Sequence, residues 1–286
     1  MTIFICVVSA FFWAGFDITR KLTLKKISST TLLFLFSIGQ FLIFLIWIYF
    51  ESFSINVKPY LLPGIILILI GVSSALLFLK AINQSELSLT IPLLSLSPMF
   101  SSVFSFLFLN ELLLKTQYLG IFAIVLGTLI LYSKKITAKD FLNSWKVIIK
   151  NKSARIMIGV SLMWSITPVL DKICLKYSSI NIHGFIQSVG IIIFLLFLLI
   201  KNTRNEIIKI KNHWKIILFT VLIGVIATIL QFFAILNNFV PIMESIKRSI
   251  GQLSSILFGN FFFKEKITES KIIGVLTLSA GIYLIV

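Results

Sequence analysis

The chain has 286 residues, 58% of them hydrophobic and only 13% charged, with a mean hydropathy of +1.05. A soluble domain carries about twice that charge, and the apolar runs recur along the whole length, which excludes a soluble enzyme and leaves no room for a separate soluble domain. The formal net charge of +16 lies mainly between the apolar runs, a pattern that orients a membrane protein rather than one that grips nucleic acid.

The runs give ten expected spans, at 3–19, 31–50, 60–82, 89–109, 117–133, 156–173, 183–200, 216–236, 241–263 and 271–286. Each is about the 17–25 residues that a helix needs to cross ~30 Å of hydrocarbon, and all are too long and too uniformly apolar for barrel strands. The first run continues into Asp17, Arg20 and Lys21 with no small-residue cleavage site, so it reads as a retained span. Asp17 precedes the two cations by one helical turn. An interfacial ion pair accounts for it, and a place in a cavity beside Trp13 is the alternative. Lys80 closes the third span. The fourth carries Ser95, Pro98, Ser102 and Ser105 on one helical face, where serines pack helices closely or line a polar path, and Pro98 predicts a kink. In the fifth, Gly120 and Gly127 lie two turns apart and invite close approach of another helix. The polar stretch 134–155 has the periodicity of a short basic amphipathic helix suited to an anionic leaflet, and it divides the chain.

The second half repeats the first. Glu265, Gly274 and Gly281 follow Glu111, Gly120 and Gly127 at one constant spacing, and at a slightly shorter one Trp164 follows Trp13 and Lys172 follows Lys21. Five spans per copy force the copies into opposite orientations, as in the inverted repeats of secondary transporters. The expected organisation is thus an all-α integral membrane protein: a first repeat over 1–133, a basic linker over 134–155 and a second repeat over 156–286, around a central cavity.

The ninth span departs from its counterpart. Glu244, Lys247, Arg248, Gly251 and Ser255 share one helical face, with Gln252 and Ser254 at its edges and Ile246, Ile250, Leu253 and Leu257 opposite. Charges inside a span face a cavity or the bundle interior, because hydrocarbon penalises them by several kcal/mol; cations near a span end also snorkel to headgroups. The cavity reading makes this face the candidate ligand site.

The runs Ser97-Pro98, Leu109-Asn110-Glu111, Gln117-Tyr118-Leu119-Gly120 and Gly127, with Phe262-Phe263-Lys264-Glu265, Gly274 and Gly281 in the second half and Trp13-Ala14-Gly15 in the first span, resemble the EamA signature of the drug/metabolite transporter superfamily. The resemblance implies ten helices around a cavity lined chiefly by spans 1, 3, 4, 6, 8 and 9, alternating access, and a small-molecule substrate. It maps the lining onto Trp13, Lys80, Ser95, Trp164, Gln231, Glu244, Lys247, Arg248 and Gln252, where Gln252 stands in place of a usual proline. A lysine and an arginine side by side suit a carboxylate or phosphate.

The expectation is therefore a non-enzymatic secondary transporter of a small polar or anionic metabolite in the cell membrane, monomeric or dimeric. A flippase for a phosphate-bearing lipid is the alternative, and a membrane scaffold a third. No cofactor and no metal site is expected: His183 and His213 lie at span edges without ligand spacing, and there is no phosphate-binding loop. Coupling to protons or another cation stays open. Lysines and arginines crowd the odd-numbered connections, which the positive-inside rule assigns to the cytoplasm, with both termini outside; the family resemblance favours cytoplasmic termini.

Overall fold

The structure is a computed structural model and describes residues 2–84, 91–131, 150–199, 203–263 and 268–285. Among these the chain forms α1 (Thr2–Leu24), α2 (Ser29–Phe50), α3 (Val57–Gln84), a 3-10 turn (Ile91–Leu96) leading into α4 (Ser97–Leu109), α5 (Lys115–Leu131), α6 (Lys152–Leu175), α7 (Ile180–Leu199), α8 (Thr203–Asn237), α9 (Val240–Phe263) and α10 (Glu269–Ile285). The expected spans therefore each contain one helix. Four of these helices (α1, α2, α3 and α6) and residues 206–237 of α8 are long and apolar enough to cross a membrane by length and composition. Residues 93–109, 115–130 and 180–196 form shorter apolar helices; α9, with its three charges, and α10 are in neither set.

Local chemistry explains several boundaries. Ser28 caps α2 by accepting a hydrogen bond from the Thr31 N–H at 3.2 Å, and Asn151 caps α6 by accepting one from Ala154 at 3.1 Å. That cap starts α6 ahead of the expected 156; most of the expected linker, including its amphipathic stretch, lies outside the described residues, as does Glu265. Pro98 does not kink the middle of a span. It sits in the first turn of α4, after the 3-10 turn, where its missing N–H has no partner to lose. Asn110 ends α4 in the left-handed conformation at φ 56°, which lets its N–H return to the Phe106 carbonyl at 3.2 Å. In α8, His213 leaves the helical region at φ −125° and ψ 21°, so residues before it form a separate helical segment ahead of the expected span.

The helices pack in two matching sets. α1 lies on α8 as α6 lies on α3; α1 meets α9 as α6 meets α4; α2 touches α8 as α7 touches α3; and α2 with α7, α4 with α9 and α5 with α10 pair across the sets. Gly120 faces the Gly281 backbone while Gly127 faces Gly274, so α5 and α10 run antiparallel in close contact. The largest apolar core joins Leu24, Leu32, Phe78, Ile82, Leu93, Met157, Leu195 and Val221. A second joins Cys6, Ala10, Val169, Ile235, Met243, Ile246 and Ile250, and seats one side of α9.

Candidate functional site

With Ile246 and Ile250 held in that second core, the helical period of α9 turns Glu244, Lys247, Arg248 and Gly251 towards the molecular interior. There they line a cavity of about 200 Å³ together with residues of α1, α2, α3, α6, α7 and α8. Glu244 is fully buried. Its Oε1 lies 3.1 Å from Lys247 Nζ and its Oε2 lies 2.8 Å from Arg248 Nη2. Ser97 at the start of α4 donates to Glu244 Oε2 at 3.0 Å and accepts from Arg248 Nε at 3.1 Å. Lys247 also donates to Gln231 Oε1 on α8 at 2.5 Å. Each cation lies against a tryptophan: Lys247 Nζ is 4.6 Å from the Trp13 ring centre, and the Arg248 guanidinium carbon is 5.1 Å from that of Trp164. One carboxylate thus holds two cations, and the cluster carries a surplus positive charge in a largely apolar cavity, where it acts at low dielectric.

Asp17 and Arg20 of α1 line the same cavity. They form an ion pair, and the Arg20 guanidinium carbon stacks between Phe16 at 4.3 Å and Phe78 at 4.4 Å. Arg20 is buried and Asp17 half-buried, and both face the cavity. Across the cavity Asp171 of α6 contributes a third carboxylate, 3.1 Å from His183 Nε2. One end of the bundle is fastened around α9. Glu111, just beyond α4, pairs with Lys172 at 2.6 Å, accepts from the Val240 N–H at 2.9 Å and bonds Ser105, while Lys172 also donates to the Asn238 carbonyl at 2.7 Å.

A family model described as EamA-like transporter family matches residues 1–133 and again residues 152–286. The chain belongs to the EamA-like transporter family. It is thus a multi-pass membrane protein of a family of transporters, and the two matches account for the two like-packed sets of five helices. A solved structure described as "Crystal structure of protein" shares the fold, with a TM-score of 0.68 at 12% identity over 99% of this chain and 94% of that one. No curated protein matches the chain.

Within this EamA fold, six of the nine residues expected at the site line the cavity: Trp13, Trp164, Gln231, Glu244, Lys247 and Arg248. The other three do not. Lys80 is exposed, one residue beyond the lining residue Leu79. Ser95 and Gln252 are fully buried and converge on Thr128 of α5, Ser95 through its hydroxyl and Gln252 Nε2 at 3.2 Å; they fasten α5 beneath the cavity. The two tryptophans differ in use. Trp164 Nε1 donates to Ser74 at 3.0 Å, whereas Trp13 Nε1 is buried without a partner among the described residues. Asp171, Tyr60 and Gln187 carry no sequence expectation, and His183 is weighed only as a metal ligand. The available signal was an aspartate inside an apolar run; its partners come from other helices and leave no local pattern.

Proposed function

We propose that the chain is a secondary-active transporter of a small polar or anionic metabolite, working by alternating access in the cell membrane, with ten spans arranged as two inverted five-helix repeats. The observation that carries the substrate class is the Glu244–Lys247–Arg248 cluster, two cations on one carboxylate, facing a cavity between Trp13 and Trp164. A substrate carboxylate or phosphate would take the surplus charge through charge-assisted hydrogen bonds, the indoles would hold its apolar part, and the Trp13 N–H would serve a substrate acceptor. The inverted arrangement is supported by α5 and α10. A two-fold that exchanges the halves carries the Gly120–Gly281 contact onto Gly274–Gly127, and it relates antiparallel helices only if its axis lies across them. Such a repeat offers two packings of similar energy, which alternating access requires.

The test is uptake into proteoliposomes of radiolabelled glutamate, alanine, lactate and glycerol phosphate, run beside scrambling of a labelled phospholipid. The expected result is uptake of an anionic or zwitterionic member and no scrambling. Lys247→Gln and Arg248→Gln should each lower uptake about a hundredfold, as the loss of ~3 kcal/mol from a buried charge contact implies, while the protein still elutes as a folded species. Scrambling without uptake would establish a lipid flippase instead.

A further inference from the structure

The inner carboxylates are not compensated alike. Asp17 is paired with Arg20, Glu244 with Lys247 and Arg248, and Glu111 with Lys172. Asp171 also lies in the interior, its side chain 10% exposed, and the ion partner it shows among the described residues is the imidazole of His183. His183 is fully buried and hydrogen-bonded on both ring nitrogens, Nε2 to Asp171 Oδ1 at 3.1 Å and Nδ1 to the Tyr60 hydroxyl at 2.9 Å. Gln187 Nε2 donates to the Tyr60 oxygen at 3.3 Å and to the Gly64 carbonyl at 3.4 Å. The Tyr60 hydroxyl can accept from Gln187 and at the same time give its proton to His183 Nδ1. In that arrangement a neutral ring carries its proton on Nε2 and donates it to Asp171. The ring is clamped further by Phe232, edge-on at 4.9 Å. This chain of contacts fixes Asp171 Oδ1 and leaves Oδ2 for the cavity that Asp171 lines.

We propose that Asp171, positioned by His183, Tyr60 and Gln187, is the proton-binding site that couples transport in this protein to proton movement; the proposal rests on the transporter reading above. A buried carboxylate whose ion partner is an imidazole, and not an ammonium or guanidinium, is a group that a proton or a cationic substrate group can neutralise. A proton from cavity water adds to Asp171 Oδ2. The carboxylate becomes a neutral carboxylic acid, Oδ1 still accepts from His183 Nε2, and the local charge goes from −1 to zero. Release to cavity water on the other face of the membrane returns the carboxylate.

The charged and titratable surroundings agree. The Cys174 thiol of α6 lies within electrostatic range of Asp171 and Tyr60, and the neighbouring Lys172 is engaged by Glu111. α7 contributes Gln187 besides His183, α3 contributes Tyr60 and α8 the neutral Gln231 and Phe232. On the cavity itself, α1 presents the Asp17–Arg20 pair, and α9 presents Glu244 with Lys247 and Arg248. The cavity therefore has a positive pole on α9 and a negative one at Asp171, and protonation removes only the second. Substrate and proton then occupy separate groups in one cavity, so that each can bias the same conformational equilibrium.

The experiment uses proteoliposomes containing the full chain and an entrapped pH dye, supplied with the labelled glutamate, alanine, lactate and glycerol phosphate pool. It reads the number of protons moved per molecule of label. The wild type is expected to give a fixed, non-zero ratio. Asp171→Asn and His183→Gln should lower that ratio at least tenfold, and Tyr60→Phe, which removes only one hydroxyl, should lower it in the same direction. A variant damaged only in folding loses label and protons together and keeps the ratio of the wild type. An unchanged ratio in Asp171→Asn, or wild-type label movement without protons, overturns the proton site alone and leaves the transporter standing. A wild type that moves no label overturns both readings.

Discussion

Trp13 and Trp164 hold matching places in the two halves, and both lie against a cation of α9, yet one indole N–H is bound to Ser74 and the other is buried with no partner among the described residues. A buried donor left unsatisfied costs about 1–3 kcal/mol, so it is retained where something else satisfies it, which under the proposed function is the substrate. Trp13→Phe keeps the ring face for Lys247 and removes the donor. It should raise the KM for uptake about two- to tenfold, the worth of one hydrogen bond, with kcat little changed. Trp164→Phe should instead lower stability, because it removes the interhelical bond to Ser74, whose hydroxyl then keeps only its bond to the Gly71 carbonyl of its own helix. Kinetics and thermal melts of the two variants, side by side, check the contrast. The same residues mark what the sequence disclosed of the site. Glu244, Lys247 and Arg248 were legible because three charges inside an apolar run have few places to go. Asp171 and His183 were not, because the contact that makes them a unit joins α6 to α7, and its orienting groups come from α3 and from α7 itself. Lys80 shows the converse: a cation at a span end has no fixed direction until the helix has been rotated against its neighbours, and that rotation turned it outward.

Contact between whole elements is tightest where α5 meets α10. A Cβ at Gly120 would come within 2.6 Å of the Gly281 carbonyl oxygen, and one at Gly127 within 2.9 Å of that of Gly274. In lipid no hydrophobic effect drives helices together, so association rests on the van der Waals contact that small residues permit. Gly120→Ala and Gly127→Ala should each destabilise the protein by about 1–3 kcal/mol, the usual cost of overpacking. Gly159→Ala, where nothing lies within 4 Å, should be neutral or slightly stabilising through helix propensity. Unfolding in mixed micelles measures all three. Among the described residues a helix in each expected span was readable from the apolar runs, because an apolar run in lipid must satisfy its backbone internally, although only five of these helices are long and apolar enough to cross a membrane by length and composition. The details set by backbone geometry were less so. Pro98 fits either a kink or a first turn, and the preceding 3-10 turn decided for the latter. The segment of α8 before His213 is too charged to belong to an apolar run, and its helix is seen only in the fold.

At the scale of the whole molecule, the two ends of the bundle carry different charge and different fastenings. At one end the connection after α1 meets the start of α8 through the Ser28 N–H on Glu206 Oε2 at 3.0 Å, and Thr23 bonds Thr220 at 2.9 Å. At the other end the connections after α2 and α6 zip together, with Asn56 N–H donating to the Tyr177 carbonyl at 2.7 Å and Ser179 N–H to that of Ser54 at 2.9 Å. The first end follows the odd-numbered helices. Its sequence holds Arg20, Lys21, Lys25 and Lys26, then Lys134, Lys135, Lys139, Lys146, Lys150, Lys152 and Arg155, then Lys201, Arg204, Lys209, Lys211 and Lys215. The second holds Lys58, Lys115, Lys172 and Lys176, and Lys172 is already neutralised by Glu111. Ion pairs also discount Arg20 and Lys209 at the first end, but the imbalance survives them. At ~1 kcal/mol per cation near an anionic leaflet, the difference amounts to many times thermal energy and should turn the odd-numbered connections to the cytoplasm. Both the start of α1 and the end of α10 then face outward, and α9 begins on that same outer side, with Glu244 one turn in. The family resemblance argues for the opposite arrangement, so the chain offers a test of local charge against inherited topology. A reporter fused after Val286 and active only in the cytoplasm should be silent, while one inserted between Lys134 and Lys150 should be active. The reverse pattern would show that the paired ends of the bundle, and not the loop charges, set the orientation.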